Sequence, residues 1–196
     1  MKRASAPREI LQLRAALRGI RPAIWRRLLV ESDRTFDHLH AVLQRSFGWT
    51  ESHLHDFEVG GTRIAEPDPD FEDRSPRLHP RTTRLSDVLT DGVTKILYRY
   101  DFGDDWEHVV GVERLLPPDP AVRYPVCLGG ARSGPPEDVG GVDGYERFLE
   151  ILKDPEHEEH AEMQEWVGGS FDPEHFDLDG VNSILAQVRR PASRRG

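Results

Sequence analysis

The sequence predicts an α+β fold: a mostly antiparallel sheet of about six strands, one helix after the second strand, and a C-terminal helical segment packed on it. Three patterns predict this. Short runs between residues 10 and 115 alternate apolar and polar side chains with period two. One run, at 36–47, has the 3.6-residue period of an amphipathic helix. From Tyr145 onward only helical spacing appears.

Leu11, Leu13, Ala15 and Leu17 alternate with Gln12, Arg14 and Arg18, which makes Ile10–Arg18 a half-buried strand. Gly19 and Pro22 end it, and Ile24–Val30 forms the second strand. Ser32, Asp33 and Thr35 offer caps to a helix over Phe36–Phe47, whose apolar face is Phe36, Leu39, Leu43 and Phe47. Gly48 suits its left-handed stop.

His53–Val59 alternates again and meets Thr62–Ala65 across Gly60-Gly61, a pair that tolerates the two positive φ angles of a type I′ hairpin. Glu66–Arg84 is polar and proline-rich, hence a loop, and Leu85–Leu89 makes one helical turn. Lys95–Phe102 and Trp106–Leu115 form a hairpin turning at Gly103-Asp104. The stretch from Pro117 to Asp143 has six prolines, five glycines and no periodicity, so it is expected to be a long loop, either functional or disordered.

Tyr145, Phe148, Leu149 and Leu152 mark a helix. Asp154-Pro155 caps another that leads to Trp166 and stops at Gly168-Gly169. Asp172-Pro173 repeats the device for a short turn. Leu178, Val181, Leu185 and Val188 line a last helix ending before Pro191.

A chain of 196 residues fits one domain, expected over 8–190, with flexible tails at 1–7 and 191–196. It is long enough for a core that needs no covalent staples. Cys127 is the only cysteine, which excludes an internal disulfide and any multi-thiolate zinc site. With no secretory signal at its basic start and no run of about 20 apolar residues, a cytoplasmic location is expected.

Charge is unevenly spread. From Asp154 through Val188 there are ten carboxylates and no Lys or Arg, against a net charge of −9 for the whole chain. The first 27 residues carry eight basic side chains and one acid, Glu9. Such polarity suits a cationic protein partner for the acidic part, or pairing of the two ends.

Four patterns could carry chemistry. Asp101, Asp104, Asp105 and Glu107 crowd one turn beside Trp106 and His108, and an oxygen-rich cluster of that kind suits a divalent cation. Hairpin tips are also ordinarily polar, and alternation turns Trp106, His108, Val110 and Val112 to one face, where His108 joins the core. Histidines are the second pattern: His53 and His55 lie two apart on a strand, and His157 and His160 three apart on a helix. Either spacing can present two nitrogens to zinc, but neither H-E-x-x-H nor H-x-x-E-H is met. The third is Arg14, Arg18, Arg21, Arg26 and Arg27 around Trp25, a basic and aromatic patch that could touch single-stranded nucleic acid, although a pI near 5.5 disfavours it. Cys127, the fourth, has no neighbour in sequence that would depress its pKa.

Several blocks together resemble the plasmid pRiA4b ORF-3-like family, also labelled insertion-element passenger TnpR-like proteins. They are IRPAIWRRLLV, TFDHLHAVLQRSFGWTESHLHDFEV, YRYDFGDDWEHVVGVE, PPEDVGGVDGYERFLEIL and EEHAEMQEWVGGSFDPEHFDLDGVN, in order from about Ile10 to Leu185. The resemblance implies an α+β domain with a mostly antiparallel sheet, carried on plasmids or insertion elements. The resolvase label does not follow: Ser5 is the only serine before position 32, and no basic recognition helix is apparent. Relatives often have further cysteines in the segment where this chain has Ser133, Gly134 and Val139, which leaves Cys127 alone.

The sequence therefore favours a binding or accessory protein of a mobile element over an enzyme. Its recognition surface is expected on Asp101, Asp104, Asp105, Trp106, Glu107 and His108, on Pro135, Pro136, Glu137 and Asp138, and on His157, Glu158, Glu159 and His160. Trp106 and Trp166 are the expected anchors. No cofactor is expected. The alternatives are a metal-dependent hydrolase or nuclease using the Asp101–His108 carboxylates, and nucleic-acid binding through the arginines.

Overall fold

The structure, a computed structural model, describes residues 9–67, 76–90 and 92–188. The two expected tails lie outside the described residues. Eight strands form one sheet in the order β5-β4-β3-β6-β7-β1-β2-β8. Every pair is antiparallel except β4 with β5.

The centre follows the alternation closely. β1 (Ile10–Leu17) lies between β2 (Trp25–Glu31) and β7 (Trp106–Leu116), with Leu13, Ala15 and Leu17 buried and Gln12, Arg14 and Ala16 facing outward. β3 (His55–Val59) and β4 (Thr62–Ala65) turn at Gly60-Gly61, whose φ angles of 56° and 78° are those a side chain resists. β6 (Lys95–Tyr100) joins this hairpin to β7.

α1 (Phe36–Phe47) starts and stops as expected. Thr35 Oγ1 accepts the His38 N–H, and Gly48 has φ 90°. The helix lies on the buried face of the sheet, where Phe36 meets Phe57, His40 meets Tyr98, and Phe47 meets His108 edge-on. The Phe and Tyr rings among these each bury on the order of 150 Å² or more, so this aromatic layer is a large share of the folding drive.

Two strands were not expected. β5 (Arg77–Leu78) lies in the proline-rich loop and is too short to alternate. β8 (Val126–Ala131), of sequence VCLGGA, lies in the long loop; two glycines deprive it of a strand signature. Gly130 is there for close approach, since a Cβ would stand 2.7 Å from the Phe176 ring. As an edge strand β8 leaves backbone groups unpaired by any ninth strand. Asn182 meets two of them: its Oδ1 accepts the Cys127 N–H at 2.8 Å and its Nδ2 donates to the Cys127 carbonyl at 3.0 Å, imitating a neighbouring strand.

Four helical boundaries differ from expectation, the fourth being the end of the last helix, which stops at Leu185 before reaching Val188. α2 is a single turn, Leu85–Val88. α3 (Gly141–Lys153) begins before its first periodic residue. α4 (His160–Trp166) starts five residues beyond Pro155, because Asp154 caps only a local turn, accepting from the Glu156 N–H, and residues 155–159 stay irregular. α5 spans Leu178–Leu185, with Asp177 as its cap. Among the described residues no helix is long and apolar enough to cross a membrane.

Candidate functional site

Residues from three separate segments meet at one end of β6. His53 comes from the irregular stretch between α1 and β3, Asp101 from the residue after β6, and Glu137 with Asp138 from the loop between β8 and α3. His53 Nε2 lies 3.1 Å from Asp138 Oδ1, 3.7 Å from Asp101 Oδ2 and 4.0 Å from Glu137 Oε2. One atom each of His53, Asp101 and Asp138 fall within 4.8 Å of one another.

Packing brings the segments together. Gly134 lets the loop touch α1: a Cβ there would stand 2.0 Å from the Phe47 carbonyl oxygen. Trp49, 3% exposed and stacked on Tyr100, donates its indole N–H to the Pro135 carbonyl at 2.8 Å. From the other side Gly140 N–H donates to Asp104 Oδ2 at 3.1 Å, tying the start of α3 to the β6–β7 turn.

Asp101 and Glu137 are each held so that one oxygen remains directed inward, while the Asp138 side chain is 69% exposed. Asp101 Oδ1 accepts the Gly103 N–H, which leaves Oδ2 toward His53. Glu137 Oε1 accepts from the Thr50 N–H at 2.8 Å and from Thr50 Oγ1 at 3.1 Å. The Tyr100 hydroxyl spans both Glu137 oxygens at 3.1 and 3.2 Å while accepting the Ser52 N–H. Burial, and after it the Glu137 charge, pushes the Tyr100 phenol well above its ordinary range, so it remains a proton donor. Asp101 and Asp138 also adopt left-handed backbone, with φ 56° and 58°. Such conformations cost roughly 1–3 kcal/mol and gather at functional positions.

Two facts give the cluster its chemical character. His53 Nε2 is shielded from solvent and makes no hydrogen bond, although Asp138 is 3.1 Å away: the carboxylate lies off the N–H line. Among the described residues no Lys or Arg pairs with Asp101, Glu137 or Asp138. Three carboxylates thus converge on an imidazole with no fixed cation among them, an arrangement that favours a bound metal ion. Ligands about 2.1 Å from an ion at tetrahedral or octahedral angles lie roughly 3.0–3.4 Å apart; the His53–Asp138 separation of 3.1 Å falls in that range, and those to Asp101 and Glu137, at 3.7 and 4.0 Å, would have to close on binding.

The expected recognition surface is therefore redistributed. Asp101, Glu137 and Asp138 come together with His53, which the sequence had set beside His55 on a strand. Asp104 serves the α3 start, and Glu107 pairs with Arg18 at 2.5 Å. Asp105 is exposed in the turn with φ 52°, which is a five-residue connection rather than a tight turn at Gly103-Asp104. Trp106 and His108 are 1% and 0% exposed, so neither belongs to a surface: alternation on β7 turns both inward. Pro135 is buried and Pro136 half-buried.

His157, Glu158, Glu159 and His160 lie at the start of α4, outside this cluster. His157 Nδ1 accepts the Glu159 N–H, Glu159 pairs with Arg147, Glu158 is exposed, and His160 Nδ1 bonds to the Ile151 carbonyl. Each histidine is committed locally, and they do not face one ion. Trp166 is 46% exposed at the end of the same helix.

The arginine patch is kept only in part. Arg26 is buried, its guanidinium donating to the carbonyls of Ser46, Trp25, Ala131 and Arg132 between the rings of Phe47 and Phe176. Arg27 pairs with Glu113, and both Arg14 and Arg27 lie over Trp25. Of the carboxylates between Asp154 and Val188, Glu159 and Glu174 pair with Arg147 and Arg132, so the N-terminal arginines are not their partners among the described residues. Cys127 is buried, which raises its thiol pKa.

Comparison with known proteins gives a consistent picture. Residues 9–180 match the family described as Plasmid pRiA4b ORF-3-like protein. Uncharacterized protein y4hQ of Sinorhizobium fredii (strain NBRC 101917 / NGR234) is 40% identical over 181 residues, which cover 92% of this chain and 89% of the relative. The crystal structure of a protein of unknown function, MM3350 from Methanosarcina mazei Go1, superposes with a TM-score of 0.81 at 39% identity. The match covers 89% of this chain and 97% of that one.

Proposed function

Because the chain belongs to the plasmid pRiA4b ORF-3-like family, whose relatives above carry no stated activity, we propose a function from the site itself: a divalent-metal-binding protein built for metal-assisted hydrolysis. The carrying observation is the solvent-shielded, unbonded His53 Nε2 facing Asp101, Glu137 and Asp138. One nitrogen and carboxylate oxygens suit Mn²⁺ or Zn²⁺ better than Cu⁺, which prefers thiolate and thioether ligands.

His53, Asp101 and Asp138 would hold the ion. A divalent ion there would polarise a substrate oxygen and acidify bound water. Glu137, anchored through Oε1, keeps Oε2 toward the cluster, where it can complete the ligand set or accept a proton. Tyr100 and Thr50 orient that carboxylate in the way outer partners orient metal ligands.

A thermal melt of the full-length protein with Mn²⁺, Zn²⁺, Mg²⁺ and Ca²⁺ tests the reading. At 100-fold excess over Kd a bound ion should add about 2.7 kcal/mol of stability. The shift should vanish in Asp101→Asn and Asp138→Asn. No shift with any of the four ions overturns the proposal.

A second reading, an acidic accessory surface for a cationic protein, is supported by α4, where Glu162 and Glu165 are exposed beside the half-exposed Trp166. It predicts that Trp166→Ala and Glu162→Lys reduce capture of a basic partner without affecting metal binding. Unchanged capture by both variants counts against it.

A further inference from the structure

A cleft of about 710 Å³ shares His53 with the cluster and opens between α1, the β3–β4 hairpin and Phe102. That volume suits a small molecule. His40, 7% exposed, lines it and stacks on His55 with ring centroids 3.5 Å apart and planes within 5°.

Hydrogen bonds decide the His40 tautomer. Gln44 Oε1 accepts the Glu51 N–H, so the Gln44 amide nitrogen faces Tyr98 and donates to its hydroxyl at 2.9 Å. The Tyr98 hydroxyl proton then finds its acceptor in His40 Nδ1, 2.8 Å away. Burial, and after it the neighbouring His55, lowers the His40 pKa to about 2, so the ring is neutral and its one proton sits on Nε2. That N–H has no acceptor among the described residues, on a ring that borders the cleft.

The cleft's other polar side chains include arginines and the acids that pair with them. Arg63 is braced by Asp56, and Arg81 by Asp37 and Glu66. The acids on the wall are thereby committed: Asp37 and Glu66 to Arg81, and Glu51 to Arg45. Guanidinium groups held this way match the oxygens of a phosphoryl group. At the rim Leu54 and Phe102 are 57% and 48% exposed, offering apolar surface beside the polar floor.

We infer that this cleft binds a small phosphate monoester of an apolar or aromatic alcohol. Its phosphoryl oxygens would meet the His40 Nε2–H and the arginines, and its organic group would lie against Leu54 and Phe102. The inference rests on the metal reading above, because the ester oxygens would also reach the ion at His53.

The test is calorimetric titration of phenyl phosphate into the full-length protein, metal-free and Mn²⁺-loaded, beside inorganic phosphate and an unphosphorylated single-stranded oligonucleotide. Phenyl phosphate should bind the Mn²⁺-loaded protein more tightly than inorganic phosphate does. Arg81→Gln and His40→Gln should each weaken it at least tenfold with Mn²⁺ affinity unchanged. Arg81 is exposed, so its variant decides the matter even if His40→Gln fails to fold. If Mn²⁺ binds while phenyl phosphate does not, if Arg81→Gln binds as well as the native chain, or if only the oligonucleotide binds, the inference is overturned. Phenyl phosphate binding without any Mn²⁺ binding would uphold the cleft and overturn the metal reading instead.

Discussion

The Tyr100 hydroxyl lies 3.1 and 3.2 Å from the two carboxylate oxygens of Glu137, joining the end of β6 to the loop before α3. Tyr100 touches nothing in the cluster except through Glu137 and the His53 ring, whose centroid is 5.8 Å from its own. It acts as a positioning residue.

Tyr100→Phe keeps the ring packed on Trp49 and removes only the hydroxyl. We expect a folded protein whose Mn²⁺ affinity falls roughly 10–100-fold, the usual cost of losing an outer partner. Calorimetric titration of Mn²⁺ reads this; unchanged affinity would show that Glu137 stands outside the ligand set.

Histidines in the core set an acid limit on stability. Burial lowers His108 to about 3 and His40 to about 2 from an ordinary 6.5, so the folded chain resists protons that the unfolded chain accepts. Their contribution is complete above pH 6.5 and is lost as pH falls from there toward the folded values. Each group gives a slope of up to about 1.4 kcal/mol per pH unit. Urea midpoints between pH 7.5 and 5 should fall accordingly, and His108→Phe should flatten the slope by one group's share. A flat profile for the native chain would contradict this.

Arg26→Met exchanges a buried cation for an apolar side chain of similar length, but strands four carbonyls that the guanidinium now satisfies. The expected loss is about 3–5 kcal/mol, since an acceptor left unpaired costs about 1–3 kcal/mol when buried, as in the bonds to Ser46 and Arg132, and less when part-buried, as in those to Trp25 and Ala131. Chemical denaturation measures it; a loss below about 1 kcal/mol would mean that water replaces the guanidinium.

Asn182→Ala uncovers the edge of β8. Losing two hydrogen bonds to Cys127 should cost about 1–3 kcal/mol and leave an N–H and a carbonyl open to another strand. Light scattering at rising concentration should show self-association in the variant and not in the native chain. Equal behaviour of both would remove Asn182's covering role.

Much of the fold was legible because its elements obey one period each. β1, α1, β6 and β7 were readable from alternation, caps and the 3.6-residue spacing. β8 was not: VCLGGA gains its place from the pairing with β2, from Phe176 against Gly130, and from Asn182, all far off in sequence. α4 was placed too early because Asp154-Pro155 carries the chemistry of a cap whether or not a helix follows. At the site, Asp101, Glu137 and Asp138 were named as two separate acidic stretches, but their meeting is a tertiary event. In sequence, His53 reads as half of a strand pair with His55. It belongs instead to the carboxylates, and only contact across the fold reveals that. Trp106 and His108 were drawn to the surface by their acidic neighbours, although the alternation of β7 already turned them inward.

The most direct test of the central claim is anomalous diffraction from crystals of the full-length protein soaked in Mn²⁺. A manganese ion held by the cluster gives one strong peak within roughly 2.0–2.6 Å of His53 Nε2 and of a carboxylate oxygen of both Asp101 and Asp138. A map with no peak at those three side chains, or with manganese only at other acidic groups such as those on α4, would contradict it.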